Sequence, residues 1–234
     1  MVSAIVVAAG RGTRFGPDAD KLFLEVAGRP VVAHTWLAWD AGGVVDEIIL
    51  VVRAGMEREF ELMARTLPLR RPWRWVMGGA ERQDSVWNGL EAVSEDCRWV
   101  AVHDGARPCV SVASMRLTLA AAQECGAAVV GHRVTDTLKE SNEDQTIART
   151  VDRSRMWAVQ TPQVFAREVL RRALAEVRRG GRRVTDDTAA CELIGQKVRL
   201  VADADPNPKV TYPGDLPWVE QVLRGRMDGE GGSR

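Results

Sequence analysis

The run Ala8-Ala9-Gly10-Arg11-Gly12-Thr13-Arg14-Phe15-Gly16 leads on to Lys21. Glycines in such a loop let backbone N–H groups approach a polyphosphate closely. Arg14 and Lys21 add positive charge where a transferring phosphoryl group gathers negative charge. Walker A is excluded because no Gly-Lys-Ser/Thr follows, and the dinucleotide fingerprint because Phe15 stands where its last glycine belongs. A turn that merely joins a strand to a helix is the plain alternative, and Arg14 together with Lys21 argues against it.

Other stretches offer matching chemistry. In Gly78-Gly79-Ala80-Glu81-Arg82-Gln83-Asp84-Ser85, a double glycine precedes a helix-like pattern, so backbone donors at the helix start could meet a base or phosphate, helped by Arg82 and Ser85. An ordinary connection with Asp84 and Ser85 in the first helical turn fits equally well. In Val102-His103-Asp104-Gly105-Ala106-Arg107-Pro108, Asp104 suits a hard metal ion or a ribose hydroxyl, Gly105 allows close approach and Arg107 can hold a phosphate. His103 reads as a structural histidine, because phosphoryl transfer needs little acid–base help. Thr137, Arg153, Thr161 and Thr185 suggest a second wall, with Arg153 beside Thr137 offering a fork of donors to a phosphate and the other two threonines offering hydroxyls to a polyol. Taken singly, each threonine also fits a turn or cap. Lys209, in the proline-rich stretch Asp205-Pro206-Asn207-Pro208-Lys209, falls outside a regular element and is free to turn toward a ligand.

These residues need a frame. Short β-branched apolar runs recur at 4–8, 47–52, 74–77, 98–102, 127–130 and 197–201, and segments near 30–40, 56–65, 82–93 and 111–124 carry apolar residues at helical spacing. Such alternation implies a largely parallel sheet with helices on both faces. It fails from about 132 to 155, where polar turns between short strand-like pieces suggest a β-arm projecting from the sheet. The arm is too poor in apolar residues for a core of its own, so it is expected to pack on a partner subunit or over the site, and a dimer follows. One domain over 1–224 and a disordered, Gly- and charge-rich tail over 225–234 complete the expected layout.

Composition narrows the function classes. Lys+Arg and Asp+Glu are 32 each, so no global field points to nucleic acid or an anionic membrane, and anions must be bound by local geometry. Cys97, Cys109, Cys125 and Cys191 lack paired spacing, which argues against a zinc site or disulfide framework and fits a reducing compartment. With no secretory lead and no uninterrupted run of roughly twenty apolar residues, a cytoplasmic location is expected. Lysine occurs only at 21, 139, 197 and 209 in an arginine-rich chain, and two of these fall in the constellations above.

In order and spacing, Ala8-Ala9-Gly10-x-Gly12-x-Arg14, Lys21, Gly78-Gly79-x-x-Arg82-x-x-Ser85, Val102-His103-Asp104-x-Ala106-Arg107-Pro108, Thr161-Pro162-Gln163 and Asn207-x-Lys209-x-Thr211 resemble the 2-C-methyl-D-erythritol 4-phosphate cytidylyltransferases over nearly the whole chain. The resemblance implies a single Rossmann-like nucleotidyltransferase α/β domain that joins CTP and methylerythritol phosphate, releasing pyrophosphate, in the non-mevalonate isoprenoid route. It implies that Arg14 and Lys21 stabilise the transition state, and that Arg153 and Lys209 position the acceptor phosphate. Ala8, Ala9, Gly10, Gly12, Gly79, Arg82, Ser85, Asp104 and Gly105 would hold the nucleotide. Asp104, Arg107, Thr137, Arg153, Thr161, Thr185 and Lys209 would hold the acceptor, with Asp104 close to Mg²⁺ or another divalent cation, directly or through water. The arm would reach across a homodimer, so that Thr137 and Arg153 serve the neighbouring site.

Two residues depart from the family's habit. Asp20 stands where proline is frequent and is expected to loosen the loop holding Lys21, and Ala80 replaces a common acid and removes a polar contact. A ribitol 5-phosphate cytidylyltransferase and a non-catalytic nucleotide-binding module are the alternatives; an NAD-dependent dehydrogenase is more distant, because the loop lacks the dinucleotide spacing.

Overall fold

Period-two alternation in an apolar run sends successive side chains to opposite faces of a sheet. The computed structural model describes residues 1–10, 12, 15 and 20–231. In β1 (Val2–Ala8), Ala4, Val6 and Ala8 enter one buried cluster and Ile5 the other. In β4 (Glu47–Val52), Ile48, Leu50 and Val52 oppose Ile49 and Val51, and the strand is buried along its whole length, as a central parallel strand must be.

β5 (Trp73–Met77), β6 (Trp99–Asp104), β7 (Ala127–Arg133), β10 (Trp157–Ala166) and β11 (Arg199–Ala202) complete a seven-stranded sheet in the order β11-β7-β10-β6-β1-β4-β5. β1 pairs in parallel with β4 and β6, β4 with β5, and β7 with β11. Among the described strands of this sheet, only β10 runs antiparallel to its neighbours, β6 and β7. The largely parallel sheet expected from the sequence is present, with one reversed strand that strand–helix alternation does not disclose. From β1 the chain builds outward to β4 and β5, then crosses back to place β6 on the other side of β1. That reversal opens a crevice at the carboxyl ends of β1 and β6, where open α/β sheets bind ligands.

Helices cover both faces. α1 (Val31–Ala41), α2 (Glu57–Thr66), α4 (Val112–Cys125) and α7 (Leu216–Gly231) bury Trp36, Trp39, Phe60, Met115 and Val219 on one face. On the other, α3 (Arg82–Glu91), α5 (Arg167–Arg179) and α6 (Asp187–Leu193) bury Val86, Leu90, Leu170, Leu174 and Ala190. In α5 the buried residues 170, 173, 174 and 177 form one stripe at helical spacing amid arginines. Side-chain caps set two helix starts: Ser111 Oγ accepts from the Ser114 N–H, and Asp186 from the Ala189 N–H.

Between β7 and β10, the short strands β8 (Leu138–Ser141) and β9 (Ile147–Val151) pair with each other as a separate, largely exposed ribbon. A two-residue pair, β2 (Glu25–Val26) and β3 (Arg29–Pro30), precedes α1. The tail expected from 225 is corrected over its first part, because α7 continues to Gly231. Leu223 packs into the core, and Arg226 donates to the carbonyls of Cys109 and Val110 at 2.6 and 3.3 Å. Among the described residues, no helix is long and apolar enough to cross a membrane.

Gly89 brings α3 close to the sheet: a Cβ there would lie 2.6 Å from Ile5 Cγ2 and 3.0 Å from Val51 Cγ2. Alanine would gain about 1 kcal/mol of helix propensity but overpack the interface at a cost of about 1–3 kcal/mol. Gly89→Ala is expected to lower the unfolding free energy in urea by up to about 2 kcal/mol; a stabilised variant would show that α3 lifts off the sheet freely.

Candidate active site

Asp104 ends β6 at the crevice, with little of its side chain exposed. Lys209 Nζ lies 2.8 Å from its Oδ2, Arg107 Nε 3.5 Å from the same oxygen, and Arg82 Nε 3.4 Å from Oδ1. Burial alone would push this carboxyl up, but the charges of Arg82, Lys209 and Arg107 outweigh it and hold Asp104 well below the usual carboxylate range. Arg82 also donates to Oδ2 of the fully buried Asp187 at 2.7 Å. Burial works against the Arg82 charge, yet Asp187 and Asp104 more than restore it, so the guanidinium is a permanent cation.

The residues around Asp104 are stitched together by directed hydrogen bonds. His103 Nε2 lies 3.1 Å from the Arg107 carbonyl, which can only accept, so the ring proton sits on Nε2 and Nδ1 accepts from the Thr161 hydroxyl at 3.0 Å. Burial pushes His103 down to about 4, so the ring is neutral at pH 7. Thr161 Oγ1 in turn accepts from the Asp104 N–H at 3.1 Å. With its one proton given to His103, the Thr161 hydroxyl has none left to donate to a ligand. Asn207 Nδ2 donates to the Thr161 carbonyl and Arg107 to the Asn207 carbonyl, both at 2.8 Å, which ties the loop bearing Lys209 to β6 and β10. Gln163 donates to Asp186 at 2.7 Å and accepts from the Asp187 N–H at 3.1 Å, holding the start of α6.

Two recesses meet at these charges. The narrower, about 210 Å³, is lined by Ala9, Gly10, Lys21, Gly79 and Ser85. The wider, about 730 Å³, is lined by Arg107, Thr161, Thr185 and Gln163, and Arg82, Asp104 and Lys209 border both. In the narrow recess Lys21 Nζ donates to the Val210 carbonyl at 2.7 Å, and its stem crosses Gly12, where a Cβ would sit 3.0 Å from Lys21 Cγ at a backbone φ of +61°. A Cβ on Gly78 would lie 2.3 Å from that of Ala9, so the two glycine-bearing loops touch. Ser85 Oγ accepts from the Gly79 N–H at 3.1 Å and donates to the Glu81 carbonyl at 3.2 Å, tightening this turn.

Most of the expected site residues therefore converge, and the exceptions are specific. Ala8, Gly12 and Gly105 line neither recess, although Gly12 lies under the Lys21 stem. The Gly105 N–H donates to the Val7 carbonyl and its own carbonyl accepts from Thr35 Oγ1, each at 2.9 Å, so Gly105 sets the spacing of β6 against β1. Thr137 and Arg153 are exposed beside the arm and line neither recess; Arg153 donates to the Val134 carbonyl at 3.3 Å. Arg14 lies outside the described residues. Asp187 and Gln163 are the site-building groups that the motifs understate: a Thr-Asp-Asp run does not say which carboxylate answers an arginine 105 positions away.

Among the described residues, no three of His, Cys, Asp and Glu come together to hold a metal. Asp104, whose two oxygens already face Arg82, Arg107 and Lys209, does not by itself make a protein-only metal cage.

The family model described as 2-C-methyl-D-erythritol 4-phosphate cytidylyltransferase matches residues 2–225. A protein of that name from Pelotomaculum thermopropionicum is 40% identical over 227 residues, covering 97% of this chain and 95% of its own. Another, from Caldanaerobacter subterraneus subsp. tengcongensis, is 42% identical over 225 residues, covering 95% and 99%. Among solved structures, the 2-C-methyl-D-erythritol 4-phosphate cytidylyltransferase of Thermus thermophilus superposes with a TM-score of 0.77 at 34% identity, covering 94% of this chain and 98% of its own. The 4-diphosphocytidyl-2C-methyl-D-erythritol synthase of Anaerococcus prevotii gives a TM-score of 0.83 at 28% identity, covering 95% and 98%.

The neutral, buried His103 generates a pH dependence. Its folded pKa, about 4, lies below the unfolded value near 6.5, so the stability it contributes is full above about pH 6.5 and is lost as pH falls toward 4. Urea unfolding is expected to show a loss of about 3 kcal/mol over that window from this group. His103→Asn should flatten the slope, and an unchanged slope would assign the loss to other groups.

Proposed function

Because this chain belongs to the 2-C-methyl-D-erythritol 4-phosphate cytidylyltransferase family, we propose that it transfers CMP from CTP to 2-C-methyl-D-erythritol 4-phosphate, giving 4-diphosphocytidyl-2-C-methyl-D-erythritol and pyrophosphate in the non-mevalonate isoprenoid pathway. The observation that carries the reading is the meeting of two recesses at Arg82, Asp104 and Lys209. The assignment follows the lining chemistry: glycine loops, Ser85 and Lys21 in one recess offer backbone donors and a cation to the nucleotide, and Arg107 and Thr185 in the other offer a guanidinium and a hydroxyl to the polyol phosphate. The acceptor's phosphate oxygen forms a bond to the α-phosphorus as the bond to the bridging oxygen of pyrophosphate breaks, with no covalent enzyme intermediate.

Such a transfer asks the protein for alignment and charge rather than acid–base chemistry. Lys21 and Arg14 meet the negative charge that gathers around the α-phosphorus. Lys209 and Arg107 hold the acceptor phosphate, and Thr185 faces its polyol. Arg82 stays charged because Asp187 anchors it from behind, so it keeps its position when a ligand draws Lys209 away from Asp104. Asp104 would hold a Mg²⁺ or similar divalent ion through water, and the ion would offset triphosphate charge.

The arm supports a homodimeric reading. It is exposed, carries the apolar Ile147 at its surface, and holds Thr137 and Arg153 outside their own chain's recesses. A second copy would receive these two residues at its wide recess. The enzyme would work in the cytoplasm on small-molecule substrates, without nucleic acid or membrane.

Pyrophosphate release from CTP and Mg²⁺ is expected only when methylerythritol phosphate is added, with Lys21→Ala slower by about two to three orders of magnitude at an unchanged fold. Release with ribitol 5-phosphate alone would move the enzyme to another acceptor, and no release with either would leave a binding module.

Hybrid dimers provide a separate test of the arm. Mixing inactive Lys21→Ala chains with inactive Arg153→Ala chains should restore activity, because one of the two sites in each hybrid then has both residues. Mixtures as inactive as their parents would exclude a shared site.

A further inference from the structure

The residue before Lys21 is an acid, Asp20, and every polar atom of its carboxylate and carbonyl is engaged. Its Oδ2 accepts from Arg53 at 2.8 Å, with the two side chains only 17% and 26% exposed. Its Oδ1 accepts from the Leu22 N–H at 3.1 Å, and its carbonyl accepts from the Phe23 N–H at 2.9 Å. Residues 20–23 are thereby folded into one closed turn. Downstream the turn is anchored by Leu22, which is buried and whose carbonyl accepts from the Val32 N–H at 3.0 Å, at the start of α1. The first residue of the turn is held by Arg53, which directly follows β4, an interior strand of the sheet buried along its whole length. Lys21 sits between these anchors and reaches the Val210 carbonyl, one residue from Lys209. Arg53 itself lines neither recess.

We infer that the Asp20–Arg53 ion pair is a positioning device for Lys21, transmitting the rigidity of β4 to the cation that faces the transferring group. The inference rests on the transfer reaction proposed above. The turn is tightly held, contrary to the looseness expected from an acid at position 20. A partly exposed pair of this kind contributes little to global stability, so its effect concentrates in the geometry of the loop. Displacing a group that acts mainly in the transition state lowers kcat while leaving nucleotide affinity nearly unchanged.

The test compares Asp20→Ala, Arg53→Ala, the double variant and Arg53→Lys in steady-state pyrophosphate release, with thermal unfolding and amide exchange at Leu22 and Phe23 measured on each. Each alanine variant is expected to lose about tenfold in kcat with KM for CTP within about twofold and the unfolding midpoint close to wild type. The double variant should be no slower than the worse single one, since the two residues act as a unit. Arg53→Lys should recover much of the rate, and the Leu22 and Phe23 amides should exchange faster in Arg53→Ala. Wild-type kcat in both single variants would overturn the inference. So would additive losses dominated by Arg53→Ala, which would place Arg53 on the substrate itself. If wild type released no pyrophosphate, the proposed reaction would fail first, and unchanged amide exchange in Arg53→Ala would then remove the positioning role on its own.

Discussion

A carboxylate taken out of water must be answered by positive charge, and at Asp104 the answer comes from three separated parts of the chain. Arg82 begins α3, Arg107 follows β6, and Lys209 lies in the loop after β11. These segments can meet only if β1, β5, β6 and β11 end on one edge of the sheet, as the shared direction of six strands ensures. The demand for neutralisation and the demand for a parallel sheet thus reinforce each other. Removing the Asp104 charge would leave three cations crowded together, and misplacing any one of the three loops would leave the carboxylate under-compensated.

The same arrangement divides the crevice without a wall. Charges that face each other across the site are the groups that two anionic ligands would take up from either side. Lys209 is the adaptable member, a point charge on a flexible stem about two-fifths exposed. Arg82 is the fixed one, clamped to a buried carboxylate. A site that holds one cation rigidly and another on a flexible stem pairs a fixed reference charge with one that can adjust to a ligand.

Much of this was legible in the residues. Glycine loops and lone lysines stand out in an arginine-rich chain, and β-branched runs mark strands because a buried parallel strand tolerates little else. Less legible were contacts that depend on long-range pairing. α5 hides its apolar stripe, Leu170, Ala173, Leu174 and Val177, among arginines that dominate the composition. The reversed direction of β10 leaves no local mark, since the pattern of a buried strand is the same read either way. The Thr161 hydroxyl reads as a ligand donor until its only proton is found on His103. Asp20 reads as a defect in its loop until Arg53, 33 positions on, is found to complete it.

The reversed strand has a consequence for how this architecture can vary. β7 leaves the sheet at Arg133 and β10 re-enters at Trp157, and these two residues are paired across the ladder, with the Val134 N–H bonded to the Met156 carbonyl at 3.1 Å. Everything between them is an excursion whose two ends close on each other. Its length and surface can drift over generations, or be exchanged for a short hairpin in the laboratory, without moving a single register in the sheet. The folding of the sheet is therefore largely indifferent to the shape of the arm, and any constraint on the arm comes from what Thr137 and Arg153 meet on a second copy rather than from the strands that carry it.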